Sequence, residues 1–238
     1  MIAISLVSHG HGDMVGRLVS QVLACPEVSS LTVTLNIAEK LDLPIDDDRI
    51  RVIVNQQPKG FGANQNAAFA ACTAPFFCVL NPDIELAHNP FPALLAHLKD
   101  EDVALVAPRV LSPLNGEEDS IRTFPTLASL LFKVATGNEG RYELNAQAHA
   151  TNVDWVAGMF MLFRSSAYRL MNGFDENYFL YYEDVDICTR LHLANFKIRA
   201  CHDASVVHDA RRASRRSLKY LRWHLKSMIR YLWRYRSI

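Results

Sequence analysis

Two hydrophobic periods alternate along the first 108 residues, and the switches between them outline the elements. Residues 2–7 (IAISLV) read as a buried strand, closed by Ser8-His9-Gly10-His11-Gly12. Val15, Leu18, Val19, Val22 and Leu23 recur at helical spacing over 14–24, and residues 31–35 alternate as a short strand ending at Asn36. Residues 37–48 are polar and rich in Pro and Asp, the composition of a loop. A third strand is expected over 49–55, a helix from Gly60 to about Cys72, a fourth strand over 75–80, a helix near 90–98 and a strand over 103–107. The order β-α-β-β-α-β-α-β predicts an α/β fold: a Rossmann-like, mostly parallel sheet with helices on both faces. Ligands of such sheets bind at the carboxyl ends of the strands, where His9, Asn36, Asn55 and Asp83 fall.

Beyond residue 108 the pattern loosens. Residues 109–150, with Pro113, Asn115-Gly116, Pro125 and Gly137, predict a surface excursion with one short helix after Pro125. An apolar run containing Trp155 and Gly158 follows, then a turn at Asn172-Gly173-Phe174-Asp175. Tyr178, Phe179, Tyr181 and Tyr182 lead into Glu183, Asp184 and Asp186, which open a helix with Ile187, Leu191 and Ala194 on one face. A short strand, SVV, precedes His208. From residue 215 cations and leucines both recur every three or four residues, interleaved with Tyr220, Trp223, Tyr231, Trp233 and Tyr235. That is a basic amphipathic helix with aromatics suited to a membrane interface.

Composition sharpens this division. The 238 residues, half of them hydrophobic, suffice for one large domain over 1–210, with a first half at 1–108 and a second at 109–210. The 25 basic and 25 acidic residues cancel overall, but the ten Lys/Arg of 211–238 face no Asp or Glu there. The first 210 residues therefore carry a net charge of −10. An acidic body with a basic tail suits an anionic partner. No nucleic-acid module is visible, so the expected partner is an anionic membrane surface, met peripherally by a cytoplasmic protein. A helix packed on the acidic body is the competing reading of the tail. Membrane docking predicts that Leu218, Leu221, Leu225 and Leu232, with Trp223 and Trp233, enter the interface. It also predicts that cutting after Ser214 abolishes liposome binding and spares whatever reaction the body carries out in solution. Cys25, Cys72, Cys78, Cys188 and Cys201 form no C-x-x-C and read as reduced thiols. The run at residues 2–7 is too short for a signal peptide, and the uncharged stretch between Lys59 and Asp83 is too polar for a membrane span.

Each candidate residue has a plain structural alternative. Glu183 and Asp184 complement the positive end of a helix dipole. Delivered into an aromatic-walled cleft, a carboxylate also suits a general base facing a hydroxyl. Gly60-Phe61-Gly62 ahead of a helix bearing Asn64 and Asn66 fits phosphate approach or an ordinary turn. Asp83, after Asn81-Pro82, is a local cap or one ligand of Mg2+ or Mn2+, which would still need phosphate oxygens and water. His208 is structural or a ligand that favours Mn2+.

The ordered segments SLVSHG, NQQPKGFGANQNAAF, VLNPDIEL, DWVAGMFMLFRSSAY, NGFDENYFLYYEDVDICTRL and VVHDARRAS together resemble the bacterial family 2 glycosyltransferases, nearest their rhamnosyltransferase-like branch. The resemblance implies a GT-A fold, a nucleotide-sugar-binding half joined to an acceptor half. It implies inverting transfer to a glycan or polyprenyl-diphosphate-linked acceptor in cell-surface polysaccharide such as O-antigen, with dTDP-rhamnose the first donor to test. It also implies that the membrane surface met is the inner face of the cytoplasmic membrane. By matching position, Asp83 ends the D-x-D metal motif, Asp184 (beside Glu183) is the base of the E-D motif, and His208 is the late metal ligand. Ser8, His9 and Asn36 hold the nucleoside, and Gly60, Phe61, Gly62, Asn64, Asn66, Asn81 and Asp83 line the donor side. Trp155 and Gly158 lie on the acceptor side. Two positions depart from the pattern: Asn81 replaces the first Asp of D-x-D, and Leu35-Asn36-Ile37-Ala38 replaces the usual D-N-x-S. The competing functions are a non-catalytic nucleotide-sugar-binding or membrane scaffold protein and a nucleotidyltransferase. The latter would want a basic Gly-rich signature that His9-Gly10-His11-Gly12-Asp13 lacks.

Overall fold

The computed structural model describes residues 1–44, 46–114, 116–126, 129, 142, 148–209 and 218–236. The expected alternation is present: β1 (Ile2–Ser8), α1 (Asp13–Leu23), β2 (Val28–Leu35), β3 (Ile50–Val54), α2 (Phe61–Phe69), β4 (Phe76–Leu80), β5 (Ile84–Glu85), α3 (Phe91–His97) and β6 (Val103–Leu111). The second half adds β7 (Ile121–Arg122), β8 (Ala150–Asn152), β9 (Trp155–Val156), β10 (Phe160–Arg164), α4 (Ser165–Leu170), α5 (Glu183–Leu193), β11 (Lys197–His208) and α6 (Leu218–Arg234). The helix expected after Pro125 lies outside the described residues.

The main sheet runs β3-β2-β1-β4-β10-β6-β11-β5, with β8 also paired to β11. β3, β2, β1 and β4 are mutually parallel, as the pattern predicts. β10 is not: it lies antiparallel between β4 and β6. The apolar run that ends in it therefore supplies a central strand, and both halves of the chain share one sheet.

Alternation along the strands divides the core between the two faces of the sheet. Ile2, Ile4 and Leu6 of β1 pack with α1 and α3 (Val15, Leu18, Phe91, Leu94). Ala3, with Phe77 and Val79 of β4 and Phe163 of β10, packs with Ala68, Tyr168, Ile187 and Leu191 of α2, α4 and α5. Each fully buried large aliphatic contributes about 1.5–3 kcal/mol. α5 is thus fixed against the sheet through Ile187 and Leu191, and its first turn carries Glu183, Asp184 and Asp186. All five cysteines are free. Among the described residues no helix is long and apolar enough to cross a membrane.

Candidate active site

Parallel pairing sets the ends of β1, β2 and β3 side by side, with Ser8 opposite Leu35 and Leu35 opposite Val54. The next residues form one polar network. Asn36 Nδ2 donates to the Lys59 carbonyl at 3.0 Å and lies 3.2 Å from His9 Nδ1. Asn36 Oδ1 accepts from the Lys59 N–H at 2.8 Å and from Asn55 Nδ2 at 2.9 Å. Asn55 Nδ2 also donates to Asn64 Oδ1 at 2.7 Å, and Asn64 Nδ2 to the Gly60 carbonyl at 3.0 Å. Asn36 and Asn64 therefore tie the second and third strands to the start of α2. Glu39, which sequence reasoning missed, accepts from the N–H groups of Gly10 at 3.2 Å and Gly12 at 3.3 Å. Burial raises its pKa, but bonds from Ser8, Gly10 and Gly12 and the charge of His11 outweigh that and hold it low. Glu39 thus pins the turn that carries Ser8 and His9.

The glycines of Gly60-Phe61-Gly62 serve packing. A side chain at Gly60 would stand 2.8 Å from the Phe179 carbonyl oxygen, and one at Gly62 would stand 2.6 Å from Phe174 Cβ. The Phe61 N–H, at the helix start where the sequence fits either phosphate approach or an ordinary turn, donates to the Phe179 carbonyl at 2.9 Å. Asn66 is similarly occupied. Its Oδ1 accepts from Tyr168 Oη at 2.7 Å and the Phe174 N–H at 2.9 Å, and its Nδ2 donates to the Phe174 carbonyl and Glu176. α2 is thereby joined to the turn that leads to Glu183 and Asp184.

The N-P-D turn meets the end of β11. Antiparallel pairing of β5 with β11 sets His208 opposite Ile84, the neighbour of Asp83. His208 Nε2 lies 3.3 Å from Asp83 Oδ2, and its Nδ1 lies 4.0 Å from Glu118 Oε2. Burial disfavours the imidazolium, but the bond to Asp83 and the charges of Asp83, Glu118 and Asp209 raise the His208 pKa on balance. Asp83 Oδ1 and His208 Nδ1 are buried without a hydrogen-bond partner. Orphaned buried polar atoms are costly, and a carboxylate with an imidazole is a donor set that accepts Mn2+. Asp83 Oδ1 with the facing His208 Nε2 therefore fits a divalent cation that takes its remaining ligands elsewhere, while the orphaned Nδ1 faces Glu118. Among the described residues no cluster of three or more His, Cys, Asp or Glu is arranged to hold a metal by itself.

Glu183 and Asp184 open α5 after two residues in the left-handed region, Tyr181 (φ 68°) and Tyr182 (φ 67°). Bulky residues adopt this region only under tertiary constraint. Asp184 is half-buried, and its Oδ2 accepts from the Gly158 N–H at 3.0 Å. Burial raises the Asp184 pKa, partly offset by the N–H bonds from Gly158 and Val185 and by the charge of Arg122. Glu183 is buried, with Oε2 unpartnered. Burial and the neighbouring Asp184 push its pKa well up. Trp155 lies opposite Arg122 in the β7–β9 pair and donates from Nε1 to the Thr123 carbonyl at 2.9 Å. Arg122, also missed by sequence reasoning, is ion-paired to Asp119. Nothing local in the sequence marks it, because only the β7–β9 pairing brings it close enough for its charge to act on Asp184. Asp186 is a structural acid, held by Arg190 at 2.7 Å and Tyr235 Oη at 2.9 Å.

The N-P-D turn and the base candidate share a support. The Asn81 N–H donates to the Met159 carbonyl at 2.9 Å, one residue from the Gly158 that holds Asp184. A carboxylate of raised pKa, on a support shared with the turn that bears the carboxylate–imidazole pair, can take a proton from a hydroxyl while a charged leaving group is held at that turn.

The tail helix packs on the body. Ser227 Oγ donates to the Leu180 carbonyl at 2.9 Å, and buried Tyr231 lies 2.8 Å (Oη to Oγ1) from Thr189. Trp223 stacks on Phe179 with ring centres 4.7 Å apart, and Leu232 packs beside Tyr178, Tyr182 and Val185. Trp223 and Leu232, expected at a membrane interface, are therefore body contacts.

Fold and site define a glycosyltransferase of the GT-A fold. A mannosyltransferase from Pyrobaculum calidifontis, solved with GDP-Man and Mn2+, superposes with a TM-score of 0.64 at 12% identity, over 96% of this chain and 64% of that one. The chain belongs to glycosyltransferase family 2: residues 8–227 match the family described as Glycosyltransferase like family 2. It is 33% identical over 253 residues to rhamnosyltransferase WbbL of Escherichia coli (strain K12), covering 100% of this chain and 95% of that protein. It is 28% identical over 159 residues to the N-acetylglucosaminyl-diphospho-decaprenol L-rhamnosyltransferase of Mycobacterium tuberculosis (strain CDC 1551 / Oshkosh), covering 63% of this chain and 52% of that protein.

Proposed function

We propose that the protein is an inverting glycosyltransferase that moves L-rhamnose, from dTDP-rhamnose, to a glycan or polyprenyl-diphosphate-linked acceptor of a cell-surface polysaccharide. In this reading it works at the inner face of the cytoplasmic membrane. The observation that carries the reading is Asp184, half-buried and aimed by the Gly158 N–H beside the support of the N-P-D turn. Two relatives that are rhamnosyltransferases by name support the sugar, and one of them supports a lipid-diphosphate acceptor.

Asp184 takes the proton of the acceptor hydroxyl as its oxygen attacks the anomeric carbon from the face opposite the diphosphate. The bond from that carbon to the phosphate oxygen breaks, and the nucleoside diphosphate leaves with the electron pair. Gly158 keeps the Asp184 carboxylate oriented, and Arg122 favours its charged form. Trp155 offers a face to the acceptor. Ser8, His9 and Asn36 line the nucleoside side, and Asn81 and Asp83 the diphosphate side. Gly60, Phe61, Gly62, Asn64 and Asn66 shape that pocket mainly by joining it to the base turn. Asp83 and His208 would hold Mg2+ or Mn2+, a choice supported by the Mn2+ of the mannosyltransferase. When bound, such a cation neutralises charge on the leaving diphosphate.

The test offers a panel of nucleotide sugars with a polyprenyl-diphosphate-linked acceptor. It measures nucleotide release with and without divalent metal, and the anomeric configuration of the product by NMR. Acceptor-dependent release with inversion, largest for dTDP-rhamnose, is expected. Retention of configuration would sink the single-displacement reading, and preference for another nucleotide sugar would sink rhamnose.

A further inference from the structure

α6 presents two different faces. The inner face is committed to the protein. Arg234 donates to Asp175 Oδ2 at 2.7 Å, and His224 lies 5.3 and 5.5 Å, ring to ring, from Tyr181 and Tyr182. With the Ser227, Trp223 and Tyr231 contacts, these bonds grip residues 175–182, the segment that ends in the left-handed Tyr181-Tyr182 pair and delivers Glu183 and Asp184. Among the described residues the outer face joins no hydrophobic cluster: Leu218, Leu221, Leu225, Ile229 and Trp233 are 43–80% exposed, and Trp233 meets Arg236 of the same segment. Their spacing of three and four residues places them on one stripe. Exposed Lys219, Arg222, Lys226 and Arg236 border it, and no acidic residue occurs in the helix.

We propose that this outer stripe seats on an anionic phospholipid surface while the inner face holds the base-bearing turn, so that one rigid helix sets the cleft at a fixed position relative to the bilayer. The inference rests on the membrane reading above and deepens it by naming the contact face. Apolar residues flanked by cations are what an interfacial helix offers to acyl chains and anionic headgroups. A second copy of the chain fits poorly, because two such faces opposed by a twofold axis would set cations against cations. Trp223 and Leu232 are withdrawn from the lipid contact, and Ile229 enters it.

The test uses the full chain with vesicles of equal phosphatidylglycerol and phosphatidylcholine, and with phosphatidylcholine alone. Cosedimentation reads binding, and nucleotide release in solution reports the fold of the catalytic body. The parent should bind the anionic vesicles and leave the neutral ones. Leu225→Ser/Ile229→Ser should weaken that binding about tenfold or more, and Arg222→Glu/Lys226→Glu should abolish the preference for anionic lipid. Parent-like binding by both variants, or indifference of the parent to lipid charge, would overturn the proposal. A dimer that the serine pair converts to monomer would assign the face to a second copy. Vesicle binding that follows the face in a protein that turns over no nucleotide sugar would instead count against the transferase reading and leave the docking face standing.

Discussion

The Gly158 backbone N–H donates to Asp184 Oδ2 at 3.0 Å, joining the start of a central strand to the first turn of the helix beside it. One short bond sets the direction of the only half-buried carboxylate in the first turn of α5, since Glu183 and Asp186 are both buried.

Asp184→Asn should preserve fold and donor affinity and lower turnover by roughly two to four orders of magnitude. In the parent, kcat/KM should rise with pH through a midpoint above the ordinary aspartate range, because burial raises the Asp184 pKa and only its ionised form accepts a proton. A variant with parent-like turnover, or a pH profile flat through the carboxylate range, would remove Asp184 from the role.

Glu183→Gln should raise the melting temperature at neutral pH. The folded pKa of Glu183 is raised by burial and by Asp184. Above the unfolded glutamate value the folded state therefore holds more protons than the unfolded state, and stability falls as pH rises through the folded value. The gain should be about 2–4 °C for each kcal/mol relieved, and should vanish below the unfolded value. Thermal melts across pH decide this; a neutral-pH loss would show that the Glu183 charge is compensated.

Asp83→Ala should weaken donor binding measured by calorimetry in Mn2+ or Mg2+, and His208→Ala should do the same. With chelator present, parent and variants should bind alike. A deficit that survives chelation would assign Asp83 a direct contact with the donor. With one carboxylate and one imidazole in place, metal binding without donor should be weak, since the diphosphate must supply oxygens.

Gly62→Ala should destabilise by about 1–3 kcal/mol through overpacking, because the new methyl group would meet Phe174 Cβ. Denaturant titration checks it. An unchanged midpoint would mean that α2 and the Phe174 turn separate freely.

Tyr231→Ala should cost about 3–5 kcal/mol, as loss of a buried aromatic does. The same packing alters what truncation is expected to do. Cutting after Ser214 removes the partners of Thr189, Leu180 and Asp186 and uncovers Tyr178 and Tyr182, so it should destabilise the protein as well as release it from lipid. Circular dichroism melts of the shortened chain would show this; a parent-like melt would mean that the inner face of α6 contributes little.

The sequence by itself determined what is local. Period and punctuation placed β1, α1, β3, β4 and α3 within a residue or two, and the ordered segments named the family. Glu183-Asp184 at a helix start and Asp83 after Pro82 were legible because a helix start and a strand end are marked by the local sequence whatever packs around them. Tertiary structure decided the rest. Strand direction is set by partners distant in sequence, so β10 became a central antiparallel strand without any local sign. Arg122 and Glu39 reach the site through pairings across the fold, which no spacing reports. The glycines at 60 and 62 signalled close approach, but only packing could show that Phe179 and Phe174, rather than a phosphate, fill the space. The tail advertised both apolar and cationic residues, and only the body it rests on separates the face it buries from the face it presents. An amphipathic period says that a helix has faces, and the aromatic surface of residues 178–182 selects which of them is lost from solvent.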